Sequence, residues 1–243
     1  MPPTRWGVVV PTRDRPQLVA RSARRVSAML GPTDDLVVVV DGGDTAATCD
    51  ALADVPDTVV VVGDGSGPAT ARNLGAAATT ADWLVFLDDD DLPDDDWLDT
   101  LRTLAGHADG PAHVSVGHRE EHGGAIGPAQ PARCGPATSG HVVNYLAGTF
   151  AIRRDVFDAV GGFTAGLRHM EMTDLALRAL DHVATTGGAT AFDPQPHITM
   201  VVRPTAERAS QDPAVLVDAA TVVLARNERL LVRDPDYLAD QLA

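Results

Sequence analysis

The chain has 243 residues, of which 44% are hydrophobic and 4% aromatic, and its formal net charge is −15. This length and apolar content suffice for one sizeable domain, or for one domain with an added lobe. The acidic balance argues against a general nucleic-acid binder, because phosphate backbones require a basic surface. All 19 basic residues are arginines, which excludes chemistry that depends on lysine, such as a Schiff base or a P-loop.

The cysteine positions and the hydropathy further limit the classes of protein that fit this sequence. Cys49 and Cys134 lie far apart without a CxxC pair, so neither a zinc site nor a disulfide framework is indicated. The N-terminus lacks the apolar core of a signal peptide, and no apolar run approaches the roughly 18–20 residues of a membrane span. We therefore expect a soluble protein of the cytoplasm without a transmembrane segment.

The first hundred residues alternate short apolar runs with helical patterns. Strands are predicted at 6–10, 36–40, 58–62 and 83–87, and helices at 16–30, 45–52, 67–78 and 95–105. The strands are almost continuously apolar, as expected when helices cover both faces of a parallel sheet. The pattern predicts an α/β fold with a Rossmann-like, mostly parallel central sheet and helices on both faces.

The second half of the chain is less regular. Strands are predicted within 112–117, 141–152, 189–192 and 197–202, and helices at 154–160, 170–185, 212–229 and 236–242. Residues 119–140 are rich in Gly, Pro and Ala without a period, which predicts a mobile loop and a candidate lid. We expect a single domain over 1–243 that divides into residues 1–117, residues 118–211 and a helical tail (212–243).

Four adjacent aspartates follow the fourth predicted strand at residues 88–91, a segment called the acid run below. Ligands of doubly wound sheets bind beyond the carboxyl ends of the strands. Polar residues after four strands, at 11–14, 41, 63–64 and 88–91, would converge there. Clustered carboxylates suit a hard divalent ion, which in turn suits a phosphorylated ligand. The alternative is a solvated acidic run, with Asp94 capping the next helix.

The segment Gly63-Asp-Gly65-Ser-Gly67 also looks like a dinucleotide-binding fingerprint, since it follows a strand and Asp88 comes about 20 residues after it. Thr70 stands where the third glycine belongs, and two complete βα units precede the motif. A ribose needs a single acid, so the rest of the acid run would stay unexplained. These points disfavour a dehydrogenase or flavoprotein.

Six segments, in the right order over roughly residues 6–180, resemble motifs of family 2 glycosyltransferases of the GT-A fold. They are Val8-Val-Val-Pro-Thr-Arg-Asp-Arg-Pro16, Val38-Val-Val-Asp-Gly-Gly-Asp-Thr45, Gly67-Pro-Ala-Thr-Ala-Arg-Asn-Leu-Gly75, Phe86-Leu-Asp-Asp-Asp-Asp91, the stretch from Gly148 to Gly161-Gly-Phe163, and Glu171-Met-Thr-Asp-Leu-Ala-Leu-Arg178. Each piece is weak alone, and six in register make the resemblance specific. It implies a GT-A fold with an acceptor-binding lobe, in which residues 1–117 would be the nucleotide-sugar-binding half and residues 118–211 the acceptor and catalytic half.

The resemblance also implies roles in binding a nucleotide-sugar donor. The residues that would bind its nucleotide, sugar or diphosphate are Pro11, Thr12, Arg13, Asp41, Arg72, Asp88 and Asp89. Among them Asp88 would face the ribose, while Asp89 and Asp91 are alternatively acids at the start of a helix. Asp90 would ligate Mg²⁺ or Mn²⁺ bridging the diphosphate, where the ion stabilises the charge of the leaving group.

A histidine after the catalytic helix often adds a metal ligand in this family, and His197 is the best candidate here, followed by His169. A lone histidine is more often a structural residue. Gly42 departs from the family pattern by replacing the second aspartate of the second-strand motif, which affects selectivity for the nucleotide base.

The catalytic base is the main departure from the family. Met172 stands where the pattern has an aspartate, and a methionine cannot accept a proton. Glu171 is the first substitute as general base and Asp174 the second. The structural alternative for Asp174 is an ion pair with Arg178 at i,i+4.

The resemblance therefore predicts a metal-dependent, inverting glycosyltransferase. We expect a UDP-sugar as the favoured donor, a soluble small-molecule, glycan or cell-surface acceptor, and homodimers through the C-terminal helices as one option. The abundance of Ala, Val, Asp and Arg, with no Lys, is typical of a GC-rich genome and suggests a bacterial natural-product or cell-surface pathway. Two alternatives remain open. One is a catalytically silent nucleotide-sugar-binding module, suggested by Met172. The other is a sugar-phosphate nucleotidyltransferase, disfavoured because the first loop has no glycine and the chain no lysine.

Overall fold

A computed structural model describes residues 4–130, 145–202 and 213–231. Nine strands lie in these residues: β1 (Trp6–Thr12), β2 (Asp35–Asp41), β3 (Thr58–Gly63), β4 (Trp83–Phe86), β5 (Leu92–Pro93), β6 (Pro111–His122), β7 (Ala125–Gln130), β8 (Phe150–Arg153) and β9 (Ala189–Val202). The helices are α1 (Pro16–Ser27), α2 (Thr45–Ala51), α3 (Pro68–Ala77), α4 (Trp97–Ala105), α5 (Arg154–Ala159), α6 (Glu171–Thr185), α7 (Pro213–Arg226) and α8 (Glu228–Leu231). The α/β class expected from the sequence is confirmed.

The described strands form one sheet in the order β3-β2-β1-β4-β8-β6-β9-β5, with β7 paired to β6. Strands β1, β2, β3 and β4 pair in parallel, as do β6 and β9, while β8 is antiparallel to both β4 and β6. Six of the nine strands thus point the same way. The carboxyl ends of β1, β2, β3 and β4 meet at one edge of the sheet, as predicted.

Alternation along the buried strands builds two cores on opposite faces of the sheet. Val9, Val37 and Phe86 pack on one side with buried residues of α3 and α6. Neighbouring residues such as Val8 and Val38 pack on the other side with buried residues of α1 and α4. Helices therefore cover both faces, which explains why the strands read as continuous apolar runs.

The mobile loop predicted for residues 119–140 is wrong for its first part. Strand β6 continues to His122, and β7 returns as an antiparallel partner. The turn between them contains Gly123 and Gly124, with φ angles of 60° and 89° that glycine adopts readily. The strand was missed because residues 118–122 are polar, and their extended form comes from pairing with β7 and β9. Residues 131–140 of the predicted lid lie outside the described residues.

The later elements differ in smaller ways. The two strands predicted at 189–192 and 197–202 are one strand, β9, which pairs with β6 through several register shifts. The predicted helix over 212–229 is present as α7 and α8. The helix predicted at 236–242, and Cys134, lie outside the described residues. Within the described ranges no helix has the length and apolarity needed to cross a membrane.

Candidate functional site

Helix α1 holds the backbone of the acid run. The buried hydroxyl of Ser22 donates to the carbonyl oxygens of Asp89 at 2.9 Å and Asp91 at 3.1 Å. Arg21 Nη2 donates to the carbonyl oxygen of Asp90 at 3.3 Å. The segment after β4 is therefore fixed by backbone contacts that do not involve its carboxylates.

The loop after β1 engages two of the acid-run side chains. Thr12 Oγ1 donates to Asp89 Oδ2 at 2.6 Å. Arg15 Nη1 lies 3.0 Å from Asp89 Oδ1 and 3.3 Å from Asp90 Oδ2. Arg13, in the same loop, is exposed and 4.0 Å from Asp14. Thr12 and Asp89, both predicted to bind the nucleotide sugar, are thus buried partners of each other.

Burial perturbs the ionisation of the acid run. It raises the pKa of Asp89 to about 6, although the Thr12 hydrogen bond and the Arg15 charge oppose that rise. Burial, followed by the charges of Asp88 and Asp90, raises the pKa of Asp91 well above its usual value. Asp91 Oδ1 accepts from the amide of Val201 at 3.2 Å, which ties the run to β9. Burial thus disfavours the charged form of both carboxylates.

Arg72 links the acid run to the start of α6. Its side chain is 3% exposed, with Nη2 2.5 Å from Asp88 Oδ1 and Nη1 2.7 Å from Glu171 Oε1. Its Cζ lies 5.7 Å from the ring centroid of Phe163, a cation–π distance. Burial opposes the charge of the guanidinium, but Asp88 and Glu171 more than compensate, and the pKa of Arg72 is raised. Two predicted site residues more than 80 positions apart therefore share one buried cation.

Asn73, next along α3, fixes the segment that carries Phe163. Its Nδ2 donates to the Phe163 carbonyl and its Oδ1 accepts from the Phe163 amide, both at 2.9 Å. A Cβ on the preceding Gly162, whose φ is 66°, would lie 2.7 Å from Asn73 Oδ1. The two hydrogen bonds explain why the arginine-asparagine motif and the glycine-glycine-phenylalanine motif occur together in the sequence. The asparagine side chain of the first motif binds the backbone of the phenylalanine in the second.

Asp41, expected to hold the base or ribose, has both side-chain oxygens occupied by backbone groups. Oδ1 accepts from the amide of Gly65 at 3.1 Å and Oδ2 from that of Gly67 at 2.9 Å. The carboxylate thereby shapes the loop between β3 and α3. The segment that looked like a dinucleotide fingerprint forms this loop, and its Gly65 and Gly67 amides bind the carboxylate of Asp41.

Asp174 is wholly buried and bonded on both oxygens. Oδ2 accepts from Thr164 Oγ1 at 2.7 Å and from Arg178 at 2.6 and 3.0 Å. Oδ1 accepts from Asn227 Nδ2, between α7 and α8, at 3.2 Å. The ion pair with Arg178 considered from the sequence is confirmed. The full burial of Asp174 among these partners argues against its prediction as a base.

The ring of His197 pairs with aspartates other than the predicted metal ligand Asp90. Its Nδ1 is 3.1 Å from Asp96 and its Nε2 3.3 Å from Asp193, so both ring nitrogens face carboxylates other than Asp90. Within the described ranges no group of three or more His, Cys, Asp or Glu side chains could hold a metal ion. The predicted pairing of Asp90 with His197 is therefore not assembled here, because β5 and β9 direct His197 toward the start of α4.

A cavity of about 490 Å³ lies elsewhere, between the end of α6 and the C-terminal helices. Its described lining includes Arg178, His182, Arg226 and Arg229. None of the lining residues belongs to the acid run or to its partners. The cavity therefore does not mark the candidate site, whose residues are identified by their contacts.

Arg15, Ser22 and Asn73 are among the residues of this site that the sequence analysis does not identify. Arg15 lies in the first-loop segment that also contains Pro11, and Asn73 follows Arg72 in the α3 motif. Their positions were therefore visible as motif members, whereas their partners, Asp89 and Phe163, become evident only when the strand ends meet. Ser22 carries no sequence signal beyond its place on the buried face of α1.

A model of the family described as glycosyl transferase family 2 matches residues 7–173 of the chain. The chain is also 24% identical over 201 residues to a protein of Haemophilus influenzae named "Uncharacterized glycosyltransferase". That match covers 74% of this chain and 63% of the relative, so the chain spans less than two thirds of that relative's length.

Solved structures share the fold at low sequence identity. S. aureus TarS, residues 1–349, in complex with UDP-GlcNAc superposes with a TM-score of 0.70 at 14% identity, covering 96% of this chain and 72% of that one. The mannosyltransferase PcManGT from Pyrobaculum calidifontis, in complex with GDP-Man and Mn²⁺, gives 0.64 at 18% identity, covering 92% and 64%. With the sheet order and the six motifs, the family match establishes that this chain belongs to glycosyl transferase family 2 and has the GT-A fold.

Proposed function

We propose that the chain transfers a sugar from a nucleotide-diphosphate donor to an acceptor hydroxyl, with inversion and with help from a divalent ion. The observation that carries this proposal is the Asp88–Arg72–Glu171 bridge. It joins the acid run, on the donor side, to Glu171, the first residue of α6, which directly precedes the position of the family's catalytic aspartate. One carboxylate near each reacting partner is what the reaction requires.

The donor would lie along the carboxyl ends of β1, β2 and β4. Asp88 is the acid-run carboxylate most open to solvent, at 41% exposure, and is therefore the one available to a ribose hydroxyl. Exposed Arg13 and half-buried Pro11 would flank the base. The complexes of TarS with UDP-GlcNAc and of PcManGT with GDP-Man support a nucleotide sugar as donor. We favour a UDP-sugar, because the TarS likeness extends over more of the chain.

A divalent ion would fit this site with one or two protein carboxylates as ligands. The described residues offer no cage of three ligands, but Asp90 and Asp88 present hard carboxylate oxygens at the edge of the run. Mg²⁺ commonly takes one or two protein carboxylates and obtains its other ligands from substrate phosphates and water. Asp90 would hold the ion, which would stabilise the charge that develops on the departing diphosphate.

Glu171 would accept the proton of the acceptor. The described residues give it one hydrogen bond, from Arg72 to Oε1, which leaves Oε2 to take a proton. The acceptor oxygen forms a bond to the anomeric carbon, and its proton passes to Glu171. The bond from that carbon to the diphosphate oxygen breaks, and the nucleoside diphosphate leaves with the electron pair. Arg72 keeps the carboxylate oriented throughout, because it is fixed by Asp88 and Phe163.

Met172 favours a second candidate, a module that binds nucleotide sugars without turnover. Its side chain is 8% exposed and packs in the core between α6 and the sheet. The position that carries an aspartate in the family therefore faces the interior here. If Glu171 cannot act as the base, donor binding would remain and transfer would be lost.

The two candidates are separated by donor turnover. The chain, incubated with Mn²⁺ and either UDP-GlcNAc or GDP-Man, is assayed for release of nucleoside diphosphate with and without simple sugar and alcohol acceptors. We expect slow release that Glu171→Gln lowers by about a hundredfold or more, the scale of losing a general base. Donor binding that raises the melting temperature, together with no release above that of Glu171→Gln, would favour the silent module.

A further inference from the structure

The acid run carries its own counter-cation. Arg15 Nη1 lies between the carboxylates of Asp89 and Asp90, within 3.3 Å of both. The side chain of Asp90 is only 14% exposed, and the guanidinium of Arg15 is an adjacent positive charge. A second cation brought to Asp90 would meet this guanidinium, and like charges a few ångströms apart repel strongly in a partly buried site.

Arg15 is not needed to hold the acid run in place. The carbonyl oxygens of Asp89 and Asp91 accept from Ser22, further along α1, and Asp91 is tied to Val201 of β9. The guanidinium, in contrast, touches only carboxylates in its described contacts with the run. Its side chain is 35% exposed, so it has room to move toward solvent.

We propose that Arg15 occupies, in the free protein, the electrostatic position beside Asp90 that a divalent ion takes when the donor is bound, so that metal and donor bind cooperatively. The inference rests on the proposed function, since it requires a diphosphate donor and a metal at Asp90. The metal alone must displace Arg15 and gains few protein ligands. The diphosphate supplies further oxygen ligands for the metal and an alternative anionic partner for the released guanidinium.

Binding of Mn²⁺ tests this without any turnover, because the free ion gives an electron paramagnetic resonance signal that disappears on binding. The full chain is titrated with Mn²⁺ alone and with saturating UDP or GDP. For the unsubstituted protein we expect weak binding alone and much tighter binding with one nucleotide. For Arg15→Gln we expect about tenfold tighter binding of Mn²⁺ alone, the effect of one nearby charge, and a correspondingly smaller gain from nucleotide.

Arg24→Gln is the matched control. Arg24 lies on α1 and is also paired with an aspartate, Asp54, at 2.8 Å, but its described contacts do not include the acid run. The control should bind Mn²⁺ like the unsubstituted protein. Arg15→Lys retains the positive charge and should also stay close to the unsubstituted protein, which separates the charge effect from any loss of folding. Melting curves of every variant establish that each is folded at the titration temperature.

The outcomes distinguish the inference from the function on which it rests. If Arg15→Gln binds Mn²⁺ no more tightly than the unsubstituted protein, while nucleotide still strengthens Mn²⁺ binding in both, Arg15 is no counter-cation and only the inference fails. An equal increase in Arg24→Gln also overturns it, since a general charge effect would then suffice. If Mn²⁺ binds to none of the proteins even with UDP or GDP, the metal step of the proposed function fails and the inference fails with it.

Discussion

Replacing Asp174 by asparagine tests whether this carboxylate is structural or catalytic. The substitution keeps the shape of the side chain and removes its charge. It also replaces one acceptor oxygen by an NH₂ donor. Whichever way the amide lies, a donor then faces another donor, either on the side of Arg178 and Thr164 or on the side of Asn227.

The expected cost follows from the burial of the pair. Breaking a buried ion pair on one side costs about 3–5 kcal/mol, because the remaining charge is left without compensation. Arg178 is 13% exposed and retains a 2.7 Å hydrogen bond to the Val160 carbonyl, which favours the lower end of this range of free energies. We expect a loss of about 3 kcal/mol in the free energy of unfolding. For a chain of this length that corresponds to a decrease of roughly 6–12 °C in melting temperature.

Urea and thermal unfolding measure this loss, and the activity is measured below the melting temperature of the variant. Asp181→Asn, two turns further along α6, is the matched control and should change stability by less than about 0.5 kcal/mol, as surface substitutions usually do. Turnover per folded molecule should stay within about threefold for Asp174→Asn. A variant of near-normal stability with a hundredfold loss of turnover would refute the structural role and restore Asp174 as the base.

Three further predictions concern the candidate site. Glu171→Gln should lower donor turnover by about a hundredfold or more and stability by only about 1–2 kcal/mol, since Arg72 keeps its pair with Asp88; an unchanged rate would exclude Glu171 as the base. Asp89→Asn, compared by urea unfolding with chelator present, should stabilise the protein by up to about 3 kcal/mol at pH 7.5 and by little near pH 4. The pKa of Asp89 is raised to about 6 in the folded state, so the folded state binds the proton more tightly than the unfolded state. The unsubstituted protein therefore loses stability as pH rises from about 4 to 6, and the asparagine variant does not. A stabilisation by Asp89→Asn that grows toward low pH would contradict this sign. Gly162→Ala should lower the melting temperature by several degrees through the contact with Asn73 and positive φ, and an unchanged melting curve would contradict that contact.

The first half of the fold was predictable because β1, β2 and β4 are buried on both faces and the edge strand β3 is also an apolar run. The boundaries of β1, β2, β3 and β4 lie within two residues of those expected from the apolar runs. The part of strand β6 beyond Gly117 could not be predicted from apolar runs. Residues 118–122 carry no apolar alternation, and their extended conformation depends on partners that lie close by in one case and about 80 residues away in the other.

The candidate site was predictable as a location and not as a set of contacts. Parallel strand order brings the ends of β1, β2 and β4 together, so the expectation that Thr12 and the acid run share an edge was correct. Which oxygen meets which donor depends on distances of a few tenths of an ångström. Sequence reasoning could therefore not distinguish Asp88, which faces Arg72 and solvent, from Asp89, which is buried against Thr12.

The Asp88–Arg72–Glu171 bridge has a consequence for how this chain and its relatives can diverge. A single guanidinium satisfies both carboxylates, so losing the arginine leaves two negative charges at the sheet edge without their shared partner. Replacing either carboxylate leaves the buried cation with half its compensation. The three positions should therefore change together across relatives. A relative that lacks the arginine is expected to lack one of the two acids, or to bring a basic side chain to the same place from another element.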